Sequence, residues 1–197
     1  KAYVALSSRN RIAVVDVASR TVMGEVLVRA QEPRAIAVRG GRLFVLPFES
    51  GNRSELSACL LPALEPGCTF SILDLQSNSI DVILTRNMVA DIIRNPATPD
   101  RDLLVFDTAD ESPVAEVSGF GTLLYGLAVD SQGDVLVALT EARNDANGLA
   151  GTAGHGLAEI ENRMFLNQVA RVDCSAGCTG ATLFDLEPLP PSHPAPG

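Results

Sequence analysis

Three oxygen-bearing residues close together in the chain could bind a metal ion. Glu141, Asp145 and Asn147 lie within one short polar stretch, and their side chains offer the oxygen ligands that Ca²⁺ prefers. However, Arg143 stands where a calcium loop has its first carboxylate, and Asn, Asp and Gly are also ordinary turn residues. The sequence therefore offers a Ca²⁺ candidate beside the simpler interpretation as a turn, and we expect no other cofactor.

Four cysteines form two local pairs, Cys59 with Cys68 and Cys174 with Cys178. An even number of cysteines in local pairs favours disulfides and an oxidising compartment. The alternative is a zinc site, which usually has tighter cysteine spacing and nearby histidine ligands. The chain has only two histidines, so we expect disulfides and a periplasmic or extracellular protein.

Three aspartates recur at matching places, each at the end of an apolar run: Asp16, Asp107 and Asp173. They could form a ring of carboxylates. The competing interpretation is structural, because an Asp before a tight turn accepts hydrogen bonds from the next backbone N–H groups. We expect turn chemistry at all three positions.

Recognisable catalytic motifs are absent from the sequence. His155 lies in a Gly-rich stretch and could act as a ligand or a base, but no partnered Ser or Cys nucleophile is recognisable, and we expect a surface loop there. The chain contains no dinucleotide-binding, phosphate-binding, zinc-protease or nucleophile-elbow motif, and no haem-attachment motif. The sequence therefore favours a protein without catalysis of its own.

The charge of the chain disfavours two classes of partner, and its hydropathy argues against a membrane-spanning helix. The chain has 15 basic and 24 acidic residues and a net charge of −9, which disfavours phosphate backbones and anionic membrane surfaces. No apolar stretch approaches the ~20 residues that a membrane-spanning helix needs. We expect neither a nucleic-acid partner nor a membrane span.

Two strand-and-turn signatures alternate along the chain and would position these residues. The first, an apolar run ending in Asp, occurs at 12–16, 103–107 and 169–173. The second, a small-residue strand followed by a Gly-containing turn and an apolar strand, occurs at 35–46 and 126–137. Hairpin signatures that alternate at a long period indicate stacked, repeated β-units.

The segments 2–6, 11–18 and 33–38 resemble the YVTN-type β-propeller repeat of exported and surface proteins. The resemblance covers residues 2–48 and 103–139, and part of 168–187. It implies four-stranded antiparallel blades, and its motif is structural and carries no catalytic residues.

We therefore predict an all-β chain whose residues 1–187 form a propeller segment of about three blades. A Pro-rich tail follows at 188–197. The blades are predicted at 2–42, at 43–134 with an insertion at 49–101, and at 135–187 with an insertion at 141–167 and the last strand missing. An alternative interpretation makes 70–75 and 79–84 a blade of their own.

Closure of the propeller requires more blades than these. A closed propeller typically has four to eight, and three would leave open sheet edges with unpaired backbone groups. We expect the remaining blades to come from further chain or from another subunit, and the chain to be a segment of a larger exported protein.

These features favour a non-catalytic exported scaffold that binds a protein or polysaccharide partner. The first alternative is the propeller part of a periplasmic quinone- or haem-linked oxidoreductase whose redox centre lies outside this segment. The second is a subunit of an extracellular fibre or surface layer.

Overall fold

In the computed structural model, the described residues fold mainly into β-strands joined by turns. The structure describes residues 1–50, 54–60, 70–71, 88–94, 99–142, 165–175 and 177–186, with the backbone alone for 54–60, 70–71 and 88–94. The strands are β1 (Ala2–Leu6), β2 (Arg11–Asp16), β3 (Thr21–Leu27), β4 (Gln31–Arg39), β5 (Arg42–Glu49), β6 (Ser54–Leu60), β7 (Phe70–Ser71), β8 (Met88–Arg94), β9 (Leu103–Asp107), β10 (Pro113–Val117), β11 (Leu123–Val129), β12 (Val135–Ala142), β13 (Phe165–Val172) and β14 (Ala181–Asp185). A single 3-10 turn, Ser7–Arg9, is the only helical element in these ranges, so the all-β prediction is confirmed.

Eleven of the fourteen described strands form three antiparallel meanders, and β6, β7 and β8 form a separate small sheet. Sheet I is β1–β2–β3. Sheet II is β4–β5–β9–β10, and sheet III is β11–β12–β13–β14. One residue pair, Glu49 with Leu123, joins sheets II and III into a continuous curled sheet.

The structure groups the strands differently from the predicted blades. The strand at 35–39 was expected to complete the first blade, but β4 pairs with β5 and belongs to sheet II. Likewise, β11 pairs with β12, across the boundary expected at 134–135. Sheet III therefore has four strands, and the three-stranded unit is sheet I rather than the last one.

The reason for this difference is the turn at Gly40–Gly41. Both glycines have positive φ, +57° and +76°, which is the conformation of a tight two-residue hairpin turn. The turn folds β4 directly back onto β5, with Arg39 paired with Arg42. The two glycines thus connect strands within one sheet, whereas the boundary between the first two blades was predicted at this turn.

Sheet II lies between the other two sheets, and its central strands β5 and β9 are buried on both faces. Leu43, Val45, Leu104 and Phe106 pack with Ile12 and Val14 of sheet I. The alternate residues Phe44, Leu46, Leu103 and Val105 pack with Val135 and Val137 of sheet III. Because strands buried on both faces need apolar residues at every position, β5 and β9 read as continuous apolar runs.

The first long insertion contributes a small sheet of its own. In the described residues, β6 pairs with β7 and with β8. Phe70 and Ser71 belong to the alternative blade considered from the sequence, and the rest of that blade lies outside the described residues.

Candidate functional site

Both long insertions leave the sheets from the same end. Leu123 pairs with Glu49 at the end of β5 and with Thr140 near the end of β12. The segment 50–102 follows β5 and the segment 143–164 follows β12. We call this the insertion end, and it is the candidate functional site because a partner held by both insertions would bind here.

Buried polar groups fasten the base of the first insertion. Ser50 and Asp102, its first and last residues, are both 0% exposed. The Ser50 N–H donates to Thr122 O (3.2 Å), and the Thr122 N–H donates to Thr140 O (2.9 Å). The Arg101 N–H donates to Ser50 Oγ (2.8 Å). The insertion therefore begins and ends on a fixed hydrogen-bonded frame.

Asp102 is the most perturbed carboxyl of this frame. Its Oδ2 accepts from the Phe120 N–H (2.6 Å), while its Oδ1 is buried without a hydrogen-bond partner in the described part of the chain. Burial and, to a smaller extent, the nearby Asp100 carboxylate raise the pKa of Asp102 from 3.8 to about 7, against the opposing effect of the hydrogen bonds that its carboxylate accepts. Asp102 therefore holds its proton in the mildly acidic range.

Sequence reasoning missed Asp102 because its partners come from the distant loop at 119–122. The only local signal is a carboxylate placed directly before the apolar run of β9.

Glu141, the first residue of the Ca²⁺ candidate, lies on β12 at this end. Its Oε2 accepts from Thr122 Oγ1 (3.1 Å). Asp145 and Asn147 lie outside the described residues, so this candidate stays a prediction. Within the described ranges, no group of three or more His, Cys, Asp or Glu side chains could hold a metal ion.

At the insertion end, an arginine of β4 contacts an aromatic ring of β5, which in turn contacts an aromatic ring of β11. Arg34 Cζ lies 3.8 Å from the ring centroid of Phe48, a cation–π distance. Phe48 meets Tyr125 edge-on, with centroids 5.9 Å apart. Tyr125 is 53% exposed, and its hydroxyl lies 3.4 Å from Thr140 Oγ1. We call Arg34, Phe48 and Tyr125 the aromatic cluster.

The aromatic cluster was also missed from the sequence. Tyr125 stands within an apolar strand and reads as a core residue, and only the pairing of β11 places it on the surface.

The three recurring aspartates are turn residues, as expected. Asp16 Oδ1 accepts from the Ser19 N–H (2.6 Å) and from Ser19 Oγ (2.8 Å). These two hydrogen bonds lower the pKa of Asp16. Asp107 Oδ1 accepts from the Ala109 N–H (2.8 Å), and Asp173 Oδ1 accepts from Ser175 Oγ (2.9 Å). Asp16 and Asp107 accept from backbone N–H groups of their own turns, which confirms the structural interpretation for these two, and Asp107 also pairs with Arg42 (3.4 Å). Asp173 accepts from a side chain of its own turn.

One of the two predicted disulfides is present. The Sγ atoms of Cys174 and Cys178 are 2.11 Å apart, which is bonding distance. Cys59 lies on β6, and Cys68 and His155 lie outside the described residues. The pairing of Cys59 with Cys68 stays a prediction.

A buried carboxylate, Asp134, holds the turn that contains the disulfide. Its Oδ2 accepts from Arg171 Nη2 (2.6 Å) and Nε (3.1 Å), and its Oδ1 accepts from the N–H groups of Cys174 and Ser175. The hydrogen bond from Arg171 lowers the pKa of Asp134. These bonds tie β12 to the turn after β13.

We expect Asp134→Ala to lower the melting temperature at pH 7, because it leaves Arg171 and two backbone donors without their acceptor. Asp134→Asn keeps one acceptor oxygen and should therefore lower the melting temperature less than Asp134→Ala does. Since the pKa of Asp134 is depressed on folding, its stabilisation is lost as the pH falls toward the acid range. Thermal unfolding followed by circular dichroism measures both effects, and equal melting temperatures for wild type and Asp134→Ala would contradict them.

A groove of about 730 Å³ runs between β3 and the pair β9–β10. Its rim carries several carboxylates that are already in ion pairs. Glu25 pairs with Arg9 (3.0 Å), Glu111 with Lys1 (2.8 Å) and Glu116 with Arg101 (2.8 Å). These pairs tie the rim together, so the insertion end is the better candidate for binding.

Among the residues described, no helix is long and apolar enough to cross a membrane. Compared with known proteins, the sequence matches no family model and no curated protein.

Proposed function

We propose that this chain is a three-blade arc of a β-propeller and serves as a non-catalytic exported scaffold. In this proposal its two insertions bind one protein or polysaccharide partner at the insertion end. The blades are sheets I, II and III, and the resemblance to the YVTN-type repeat supports this assignment.

The packing of the sheets supports the propeller part of the proposal. Each of the three sheets is an antiparallel meander, and consecutive sheets pack face to face through apolar side chains. Radial repetition of such sheets is the architecture of propellers. The first strands of sheets II and III, β4 and β11, are neighbours, as expected for strands lining a common axis.

One observation carries the binding part of the proposal: the ends of β5 and β12 lie side by side, bridged by Leu123. Two long segments that leave a rigid frame at adjacent points can contact the same partner. Binding residues are commonly found on loops positioned by such scaffolds.

The chemistry at this end indicates the kind of partner. The aromatic cluster offers a partly exposed tyrosine ring, a surface on which a sugar ring or an aromatic or aliphatic side chain can pack. The net charge of −9 disfavours strongly acidic partners. We therefore expect a neutral or basic partner.

Replacement of the insertions tests the proposal. In sheet I the equivalent connection, between β1 and β2, is only Ser7–Asn10. We expect variants in which this four-residue link replaces 51–100 or 143–164 to fold, because the frame residues Ser50, Arg101 and Asp102 are kept. The wild-type chain should bind one or more ligands on an array of neutral polysaccharides and neutral or basic extracellular proteins, and both variants should lose that binding.

Tyr125→Ala provides a smaller change at the same end, and Val114→Ala is its matched control on the middle sheet. We expect Tyr125→Ala to weaken binding by about tenfold, equivalent to about 1.4 kcal/mol, and Val114→Ala to leave it unchanged. Binding that survives removal of both insertions would overturn the proposal. A haem or quinone absorption band in the purified protein would favour the oxidoreductase.

A further inference from the structure

The three sheets use equivalent positions for equivalent contacts. Val4 on β1, Val45 on β5 and Val137 on β12 each pair with the matching residue of the next strand in their sheet. Val45 and Val137 are fully buried, whereas Val4 is 47% exposed. The first sheet therefore exposes a surface that the other two sheets cover.

We call the face of each sheet that carries Val4, Val45 or Val137 its front face, and the opposite face its back face. The front face of sheet II, with Val45, packs on the back face of sheet I, with Ile12. The front face of sheet III, with Val137, packs on the back face of sheet II, with Leu103. Both internal interfaces are thus front-to-back and apolar.

Two faces of the same kinds are left without a neighbouring sheet in the described residues. The front face of sheet I exposes Val4, Val22 and Leu27. The back face of sheet III exposes Leu136 and Phe184, at 38% and 52%. One chain therefore carries both halves of a third front-to-back interface, at opposite ends of its arc.

Charged side chains on these faces are tied up in ion pairs. Arg11 on the front face of sheet I lies 3.6 Å from Glu25 on the same face. Arg171 on the back face of sheet III is bound by Asp134. Glu25 also pairs with Arg9 (3.0 Å), so the cluster on sheet I carries one net positive charge, whereas the Arg171–Asp134 pair is neutral. Charge repulsion between the two faces is therefore absent, and we expect apolar packing to dominate the contact.

We propose that two copies of this chain associate head to tail, with the front face of sheet I in each copy packed on the back face of sheet III in the other. The proposal rests on the blade arrangement of the proposed function. Closed propellers typically have four to eight blades. With sheets I, II and III as the blades that the described residues of each copy supply, only two copies, 3 + 3 = 6 blades, fall in this range. A heterologous contact whose rotation closes gives a ring, whereas one that does not close gives a filament.

The mass in solution tests the proposal first. Analytical ultracentrifugation of the 197-residue chain over a concentration series should show a species of twice 20.7 kDa that does not grow further. A chain that stays monomeric at every concentration overturns the proposal. Open-ended growth overturns closure at two copies and instead supports the fibre or surface layer.

Two single variants then test the direction of the contact. Val4→Lys blocks the front face and Phe184→Lys blocks the back face, and both replace exposed side chains so that each monomer should still fold, as checked by thermal unfolding. We expect each variant alone to dimerise at least about tenfold more weakly than wild type. Val114→Lys, on the middle sheet and also exposed, is the matched control and should dimerise normally.

A mixture of the two blocked variants separates head-to-tail association from symmetric pairing. Val4→Lys keeps an intact back face and Phe184→Lys keeps an intact front face, so the mixture should form a one-to-one complex through a single contact. If one variant alone dimerises as strongly as wild type, the contact is symmetric and the proposal is wrong. The Val4→Lys variant keeps the insertion end unchanged. Its binding to the ligand array therefore tests the proposed function independently of dimerisation, so that failure of one proposal can be told from failure of the other.

Discussion

Asp102→Asn is expected to remove a pH-dependent loss of stability from this protein. The pKa of Asp102 is about 7 in the folded protein, against 3.8 ordinarily. Between pH 3.8 and about pH 7, Asp102 is protonated in the folded chain and ionised in the unfolded chain. The free energy of unfolding therefore falls as the pH rises through this window. Three pKa units correspond to about 4 kcal/mol.

Asparagine is neutral at every pH and keeps an oxygen that can accept from the Phe120 N–H. The free energy of unfolding of Asp102→Asn minus that of wild type should therefore increase by about 4 kcal/mol between about pH 4 and pH 8. Urea denaturation at several pH values measures this difference. Contributions from other carboxyls occur in both proteins and cancel.

Asp110→Asn is an instructive control because the pKa of Asp110 is lowered, chiefly by hydrogen bonds from Ser112. Its effect should have the opposite sign and be confined to the acid range, where the stabilisation by Asp110 is lost as the pH falls. If the free energies of unfolding of Asp102→Asn and wild type differ by the same amount at every pH, the role assigned to Asp102 is wrong.

The second large effect is expected at Leu103, on the back face of sheet II. Leu103 is 0% exposed and packs in the core between sheets II and III. Leu103→Ala removes a buried side chain and leaves a cavity, which costs about 2–5 kcal/mol in comparable cores. Urea denaturation at pH 7 measures the loss.

Leu136 is the matched control, since it lies on the corresponding face of sheet III but is 38% exposed. Leu136→Ala should cost less than about 1 kcal/mol in the monomer. In the Val4→Lys background, where we expect weaker dimerisation, and at low protein concentration, the two substitutions can be compared directly. Equal losses at both positions would show that sheet III is covered even in the monomer.

The strands were predictable from the sequence because their chemistry is local. Val, Ile and Leu runs such as that of β2 end at an Asp or Gly turn, and these signals placed the first strands within a few residues. The grouping of strands into sheets was not predictable in the same way. A Gly-Gly turn joins strands of one sheet or of two, and the choice depends on tertiary packing.

The site was less predictable than the fold, because its members come together only through the sheet topology. Ser50 and Asp102 are far apart in sequence, and Thr122 is supplied by a third segment. Each is an ordinary loop residue in the sequence, and its role follows from burial. Asp16 and Asp107 were interpreted correctly because their partners lie within three residues.

The short link Ser7–Asn10 has a consequence for how this architecture tolerates change. The equivalent connection in sheet II, from Glu49 to Leu103, contains 102 − 49 = 53 residues, against four in sheet I. Loop-closure entropy rises by only about 0.6 kcal/mol for each doubling of length. The longer connection therefore costs about 2 kcal/mol more, an amount that one well-packed leucine offsets. This position is a natural graft point, where new sequence can be added without redesign of the sheets.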